Sequence, residues 1–119
     1  MRNHIKGSIS MNYEVHNLKN NLETIFVDLP GTGAASAQIW FKAGSTLEDK
    51  KDHGIAHFLE HMFFKGTQTR PGAMIAHEVE SFGGEINAFT SFDYTCYYIN
   101  SPSSYLKNSI DIILDMVSN

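Results

Sequence analysis

Hydrophobic and polar residues alternate loosely over residues 12–18, which is typical of a strand with one exposed face. A second strand is predicted over residues 22–29, before Pro-Gly at 30–31 and after Lys-Asn-Asn at positions 19–21. Asn tolerates positive φ, so we expect a tight turn there to join two strands. Residues 35–43 are mostly apolar and predict a third, largely buried strand.

Two helices are predicted after the third strand. The first runs over residues 52–65, with Asp52 as its N-cap and Gly66 as its C-terminal stop. The second spans residues 71–82, with a Thr-x-Pro sequence at its start and two glycines after it.

The remainder predicts a pair of strands and a last helix. Residues 85–100 are rich in β-branched and aromatic side chains and indicate two strands around Phe92-Asp93. Ser103 or Ser104 is expected to cap a helix that runs to the end of the chain. The side chains predicted to face the core from this helix are Leu106, Ile110, Ile113, Leu114 and Val117.

This order of elements predicts an α+β fold, with an antiparallel or mixed β-sheet and helices packed on one face. A length of 119 residues is enough for a single domain. We expect residues 1–119 to form one incomplete domain, the N-terminal part of something longer, because the last helix runs to Asn119 without a Gly, a Pro or a polar tail.

Composition narrows the classes of function. The net charge of −4 and the lack of a basic patch argue against a nucleic-acid partner. No apolar run approaches the roughly 20 residues of a membrane helix, and the N-terminus lacks the apolar core of a secretory signal. The single cysteine, Cys96, cannot form an internal disulfide and is expected to be a small buried hydrophobe. We therefore predict a cytoplasmic protein with no membrane partner.

The most informative stretch is residues 53–67, HGIAHFLEHMFFKGT. On a helix, His57 and His61 lie about 40° apart and one turn apart, so both imidazoles can reach one metal ion. Glu60 flanks the pair, and its carboxylate could take a proton from a water molecule that the metal activates. The alternative is a structural helix whose histidines are satisfied by neighbours and whose Glu60 is solvated.

Other titratable residues lack such a pattern. His53 is interpreted as a residue of the helix's first turn, because three histidines at i, i+4 and i+8 span about 12 Å. His77 is interpreted as a surface or packing residue. The nearby carboxylates are expected to be solvated or structural charges: Glu78, Glu80 and Glu85.

Three segments together resemble a known family. Residues 57–67, HFLEHMFFKGT, resemble the motif of the inverzincin metallopeptidases related to pitrilysin, insulysin and the mitochondrial processing peptidase. Ala-Gly-Ser at 43–45 followed by Glu48, and GGEINAFTSFDYTCYY at 83–98, are similar to two further family segments in the same order. The resemblance covers about residues 13–117.

The resemblance implies one zinc ion per site, bound by His57 and His61, with Glu60 as the general base. It also implies a truncated half domain of the LuxS and processing-peptidase type. A sheet edge would bind an extended peptide through Asn87, Ala88, Phe89 and Thr90. The family's third zinc ligand is a glutamate far downstream, and a second, similar domain normally closes over the peptide.

The leading hypothesis is therefore a zinc-dependent endopeptidase that acts on a peptide or an unfolded polypeptide. The alternative is a non-catalytic peptide-binding or subunit module of the same family, because the third ligand and the second domain are absent from this chain. A third hypothesis is a purely structural fragment stabilised by self-association. Besides the peptide, the expected partners are a second copy of the chain or a second peptidase-like domain or subunit.

Overall fold

A computed structural model describes residues 12–119, which fall into two compact units that divide between Thr32 and Gly33. In the first unit, β1 (Asn12–Asn17) pairs with β2 (Glu23–Asp28) as an antiparallel hairpin. Asn21 adopts a φ of 62°, the left-handed conformation that Asn tolerates, and its N–H donates to the Leu18 carbonyl at 2.9 Å. The predicted hairpin is confirmed.

The second unit has three strands and three helices, joined in part by short 3₁₀ turns. The strands are β3 (Ala34–Phe41), β4 (Glu85–Thr90) and β5 (Thr95–Pro102), and the helices are α1 (Ile55–Phe63), α2 (Met74–Ser81) and α3 (Leu106–Ser118). The sheet order is β3-β5-β4 and every pair is antiparallel. β5 is therefore the central strand, and β4 lies at one edge.

The core lies between the helices and one face of this sheet. Tyr97 and Ile99 project from β5 toward the helices, which contribute the rest of the buried cluster: Ile75, Val79, Ile112, Ile113 and Met116. The ring of Phe63 at the end of α1 packs edge-on against Tyr97, with centroids 5.2 Å apart. The predicted α+β architecture with helices on one face is confirmed, and the three-stranded sheet is wholly antiparallel. Cys96 is buried, as predicted, and burial raises the pKa of its thiol.

The predicted starts of the first two helices are wrong. Asp52 lies in a 3₁₀ turn, Lys50–Asp52, and α1 begins only after Gly54, whose φ of 92° interrupts a continuous helix. α2 begins at Met74 rather than at position 71, since Gly72 has a φ of 59°. In both cases a glycine in the left-handed conformation lies before the helix, which begins later in the chain than predicted.

The predicted core face of α3 is wrong for three of its five residues. The buried residues are Ser109, Ile112, Ile113 and Met116. Of the predicted set, Ile113 is buried and Val117 packs half-buried against the core, whereas Leu106, Ile110 and Leu114 are 37%, 37% and 43% exposed. α3 has apolar residues on two faces, and the Ser109 hydroxyl can be buried because it hydrogen bonds Ser101 at 2.9 Å. Neither Ser103 nor Ser104 caps the helix with its side chain.

A cluster of polar side chains joins α3 to residues 67–70, the segment before α2, by hydrogen bonds. Asp115 accepts hydrogen bonds from Arg70 at 2.7 Å and from Thr67 and Thr69 at 2.8 Å. Burial alone would raise the pKa of Asp115, but these donors outweigh it and lower that pKa. Arg70 also pairs with Glu78 at 2.8 Å, so Glu78 is a structural charge, as predicted.

None of the helices within residues 12–119 is long and apolar enough to cross a bilayer.

The two faces of α3 give a matched test. Ile112→Ala removes a fully buried side chain and should lower the free energy of unfolding by about 2–5 kcal/mol. Ile110→Ala, on the exposed face, should cost about 1 kcal/mol or less. Urea denaturation followed by circular dichroism measures both, and equal losses would contradict the assigned burial.

Candidate metal and peptide site

The start of α1 is held by a carboxylate from the preceding loop. Glu48 accepts hydrogen bonds from the Gly54 N–H at 2.7 Å and from the Ala56 N–H at 2.8 Å. These are donors that a helix cannot satisfy itself. The bonds from Ala56 and Gly54 favour the charged form and lower the pKa of Glu48. Sequence reasoning missed this cap because Glu48 lies six residues before Gly54, outside the usual capping positions.

The same loop is pinned to the turn between β4 and β5. The N–H of Thr46 donates to the Phe92 carbonyl at 2.9 Å, and its hydroxyl hydrogen bonds Phe92 and Asp93 at 2.7 and 2.9 Å. Gly44 is buried here, and a Cβ on it would collide with the backbone oxygens of Ser91 and Phe92. The backbone contact therefore requires glycine at this position.

His57 and His61 converge at one point on the exposed side of α1. Their Nε2 atoms are 3.1 Å apart, and the ring centroids are 4.7 Å apart. Two nitrogen ligands at 2.0–2.1 Å from one tetrahedral ion would be about 3.3–3.4 Å apart. The pair therefore fits a shared zinc ion with only a small adjustment.

Glu60 lies on the inward side of the same helix. It is 8% exposed, so the part of the structural alternative that leaves this carboxylate solvated is wrong. The hydroxyl of Thr90 at the end of β4 donates to its Oε2 atom. This partner, 30 residues away along the chain, was not predicted. It supplies the hydrogen bond that a buried carboxylate requires.

The other histidines lie elsewhere. His53 precedes α1 instead of standing in its first turn, a correction that follows from the late start of the helix at Ile55. It is exposed, with Nδ1 3.8 Å from Glu48 Oε2. His77 is exposed on α2. Over the described range 12–119, no three His, Cys, Asp or Glu side chains group together in a way that could hold a metal ion.

Strand β4 has one edge free within the described sheet. Asn87 and Phe89 are exposed, whereas Ala88 and Thr90 are half-buried on the side that faces the helices. The N–H of Ala88 donates to the side-chain oxygen of Asn87 at 2.8 Å. The contact of these four residues with a substrate stays a prediction.

A separate apolar groove of about 500 Å³ lies behind α1 and includes Ile55, Leu59 and Phe63. Leu59 is about 160° around the helix from His57. The groove therefore does not contain the histidine pair.

Comparison with known families matches residues 23–119 to the family described as insulinase, peptidase family M16. An uncharacterized zinc protease of Rickettsia bellii is 41% identical over 108 residues, which are 91% of this chain and 26% of that protein. The mitochondrial-processing peptidase subunit beta of Dictyostelium discoideum is 44% identical over 86 residues, which are 71% of this chain and 18% of that protein. The chain thus spans about a quarter or less of the length of these curated relatives.

Two solved structures are similar to the chain. A protease from Helicobacter pylori has a TM-score of 0.85 at 36% identity, over 89% of this chain and 26% of that one. Pitrilysin has a TM-score of 0.83 at 23% identity, over 95% of this chain and 12% of its own, and shows the fold alone.

The stabilisation of α1 by the Glu48 carboxylate is expected to depend on pH. The pKa of Glu48 is lower in the folded protein than its ordinary value of 4.5. The charged carboxylate therefore stabilises the fold above pH 4.5, and this stabilisation is lost as the pH falls through the pKa of the folded state. Glu48→Gln should lower the Tm by a few degrees at pH 7, and the difference from the parent should narrow below about pH 4.5.

Thermal melts from pH 3 to 7 measure this difference. Glu80→Gln, an exposed position on α2, is the control and should follow the parent at every pH. A Glu48→Gln deficit that is the same at pH 3 and pH 7 would contradict the proposed role of the carboxylate charge.

Proposed function

Because the chain belongs to the insulinase family of peptidases, M16, we propose that it carries part of the active site of a zinc-dependent endopeptidase. His57 and His61 hold the metal in this proposal, and Glu60 is the general base. Several relatives are named zinc proteases, which supports a zinc-dependent peptidase role. The observation that carries the proposal is the 3.1 Å separation of the two Nε2 atoms on a helix that also carries the buried Glu60.

Zinc, when bound, would polarise the scissile carbonyl and make a water molecule more acidic. Glu60 takes a proton from the attacking water while the oxygen of that water bonds to the carbonyl carbon. The C–N bond then breaks, and Glu60 returns the proton to the leaving amine. Helix α1 holds the two ligands and the base within one turn, so little reorganisation is needed.

The substrate would bind as an added strand on β4. An extended peptide can pair main chain to main chain with an exposed sheet edge, and residues 87–90 provide such an edge. The Ala88 N–H, now bonded to the Asn87 side chain, is a donor that a peptide carbonyl could take over. Phe89, 43% exposed, offers an apolar contact for a substrate side chain.

The third ligand of the proposed site lies outside residues 12–119. Two imidazoles fix an ion less firmly than three protein ligands do. A glutamate from elsewhere in a longer chain or from a partner would complete the set of zinc ligands. This agrees with the finding that the chain spans only 26% of the length of the Rickettsia bellii relative. A second peptidase-like domain or subunit is the partner that the family resemblance suggests.

A second candidate function is a non-catalytic peptide-binding or subunit module of the same family. Within the described part of the chain, the two histidines have no third metal-binding partner, which favours this candidate. One relative is itself named as a subunit of a processing peptidase. Peptide binding that persists in a chelator, without cleavage at saturating zinc, would favour the module over the enzyme.

Three variants distinguish the proposed metal ligand and the proposed general base: His57→Ala, His77→Ala and Glu60→Gln. Calorimetric titration should show one zinc ion per chain, with affinity lowered at least about 100-fold by His57→Ala, since even indirect partners of a ligand contribute 10–100-fold. His77→Ala, an exposed histidine outside the pair, is the matched control and should bind as the parent does. Equal affinity in the parent and His57→Ala would contradict the proposal.

Glu60→Gln should retain zinc and lose hydrolysis of an unstructured fluorogenic peptide by about 10²–10⁴-fold, because the base is lost while the ligands remain. Cleavage at the parental rate would remove Glu60 from the mechanism.

A further inference from the structure

The carboxylate of Glu60 has two unlike oxygens. Oε2 accepts the hydroxyl proton of Thr90, and within residues 12–119 Oε1 has no hydrogen-bond partner. Yet no fully buried side-chain oxygen or nitrogen in this part of the chain lacks a partner. Oε1 therefore keeps contact with solvent, even though Glu60 is 8% exposed overall. Oε2 accepts a hydrogen bond from the protein, and Oε1 keeps a small exposure to solvent.

The direction of the Thr90 hydroxyl is set by its neighbours. Thr95, opposite Thr90 in the strand pair, is 5% exposed and donates its own hydroxyl proton to the Ala43 carbonyl at 2.8 Å. The two threonine oxygens are 3.4 Å apart, a longer contact. Each hydroxyl has one proton to donate. Thr95 gives its proton to Ala43, and Thr90 gives its own to Glu60.

We propose that Thr90 is a positioning residue for the general base, an inference that rests on the proposed function. Its hydroxyl fixes Oε2 and so the orientation of the carboxylate, which leaves Oε1 to take the proton of the attacking water. A carboxylate held by one hydrogen bond loses rotamer freedom, and productive geometry depends on such support.

This role differs from the substrate contact that the sequence predicts for Thr90. The main chain of Thr90 can still belong to a peptide-binding edge. Its hydroxyl, however, is engaged on the helix-facing side of β4, whereas Asn87 and Phe89 are exposed. Loss of the hydroxyl should therefore disturb Glu60 and leave peptide affinity unchanged.

The test follows the Glu60 carboxylate directly in the full chain. Side-chain carboxyl carbons of glutamate are labelled with ¹³C, and the Glu60 resonance is assigned by its absence in Glu60→Gln. Thr90→Val, which keeps the shape and removes the hydroxyl, should shift that resonance, and Thr90→Ser should restore it. The Glu48 resonance, from a carboxylate that accepts hydrogen bonds from the Gly54 and Ala56 N–H groups, should stay in place and so report that each variant is folded.

Thr90→Ala provides a second side chain without a hydroxyl should valine disturb the fold. A Glu60 resonance that stays at its parental position in the variants without the hydroxyl would overturn the inference. So would a shift that Thr90→Ser fails to reverse, because the effect would then be one of packing. Where peptide is cleaved, Thr90→Val should lower kcat by about 10–100-fold with KM unchanged, and a rise in KM alone would assign the hydroxyl to substrate binding.

A zinc titration of the same samples separates the two proposals. The parent and the Thr90 variants should bind zinc alike, because Thr90 contacts the base and not the ligands. Failure of the parent to bind zinc would overturn the proposed function. An unmoved Glu60 resonance in a chain that does bind zinc would overturn the Thr90 inference alone.

Discussion

Burial of the Glu60 carboxylate between α1 and the sheet is the constraint on which the rest of the site depends. A carboxylate removed from water must find a hydrogen bond, and Thr90 provides it. This contact and the packing of Phe63 against Tyr97 both orient α1 on the sheet. With about 100° per residue, the same orientation places His57 and His61 on the exposed side, where their ring nitrogens meet.

The three segments that carry the family resemblance are joined by hydrogen bonds in this structure. The loop at 43–48 reaches the turn after β4 through Thr46 and the start of α1 through Glu48. The helix segment reaches β4 through Glu60. Family M16 membership thus corresponds to a connected set of contacts, with the two histidines at its exposed rim. Within residues 12–119 the proposed zinc site has two protein ligands, His57 and His61, which is why a partner or a longer chain enters the proposal.

Local chemistry decided what the sequence could predict. The β1–β2 turn and the β4–β5 pair follow from residues that are neighbours in the chain, and the histidine spacing follows from helix geometry alone. The Glu48 cap depends on the left-handed conformation of Gly54, and the Thr90 partner depends on how α1 docks on the sheet. The face of α3 was mistaken because two apolar faces satisfy the same periodicity. The Glu48 cap, the Thr90 partner and the buried face of α3 all depend on tertiary contacts, which a local sequence pattern does not contain.

X-ray absorption spectroscopy of the zinc-loaded chain tests most directly whether one ion lies between the two imidazoles. A zinc ion shared by His57 and His61 should give a first shell with two imidazole nitrogen atoms at about 2.0–2.1 Å, accompanied by the outer-shell scattering of two imidazole rings. His77→Ala should leave the spectrum unchanged, and His57→Ala should remove one ring. A first shell without imidazole scattering, or a two-ring spectrum that is unchanged in His57→Ala, would contradict a shared site.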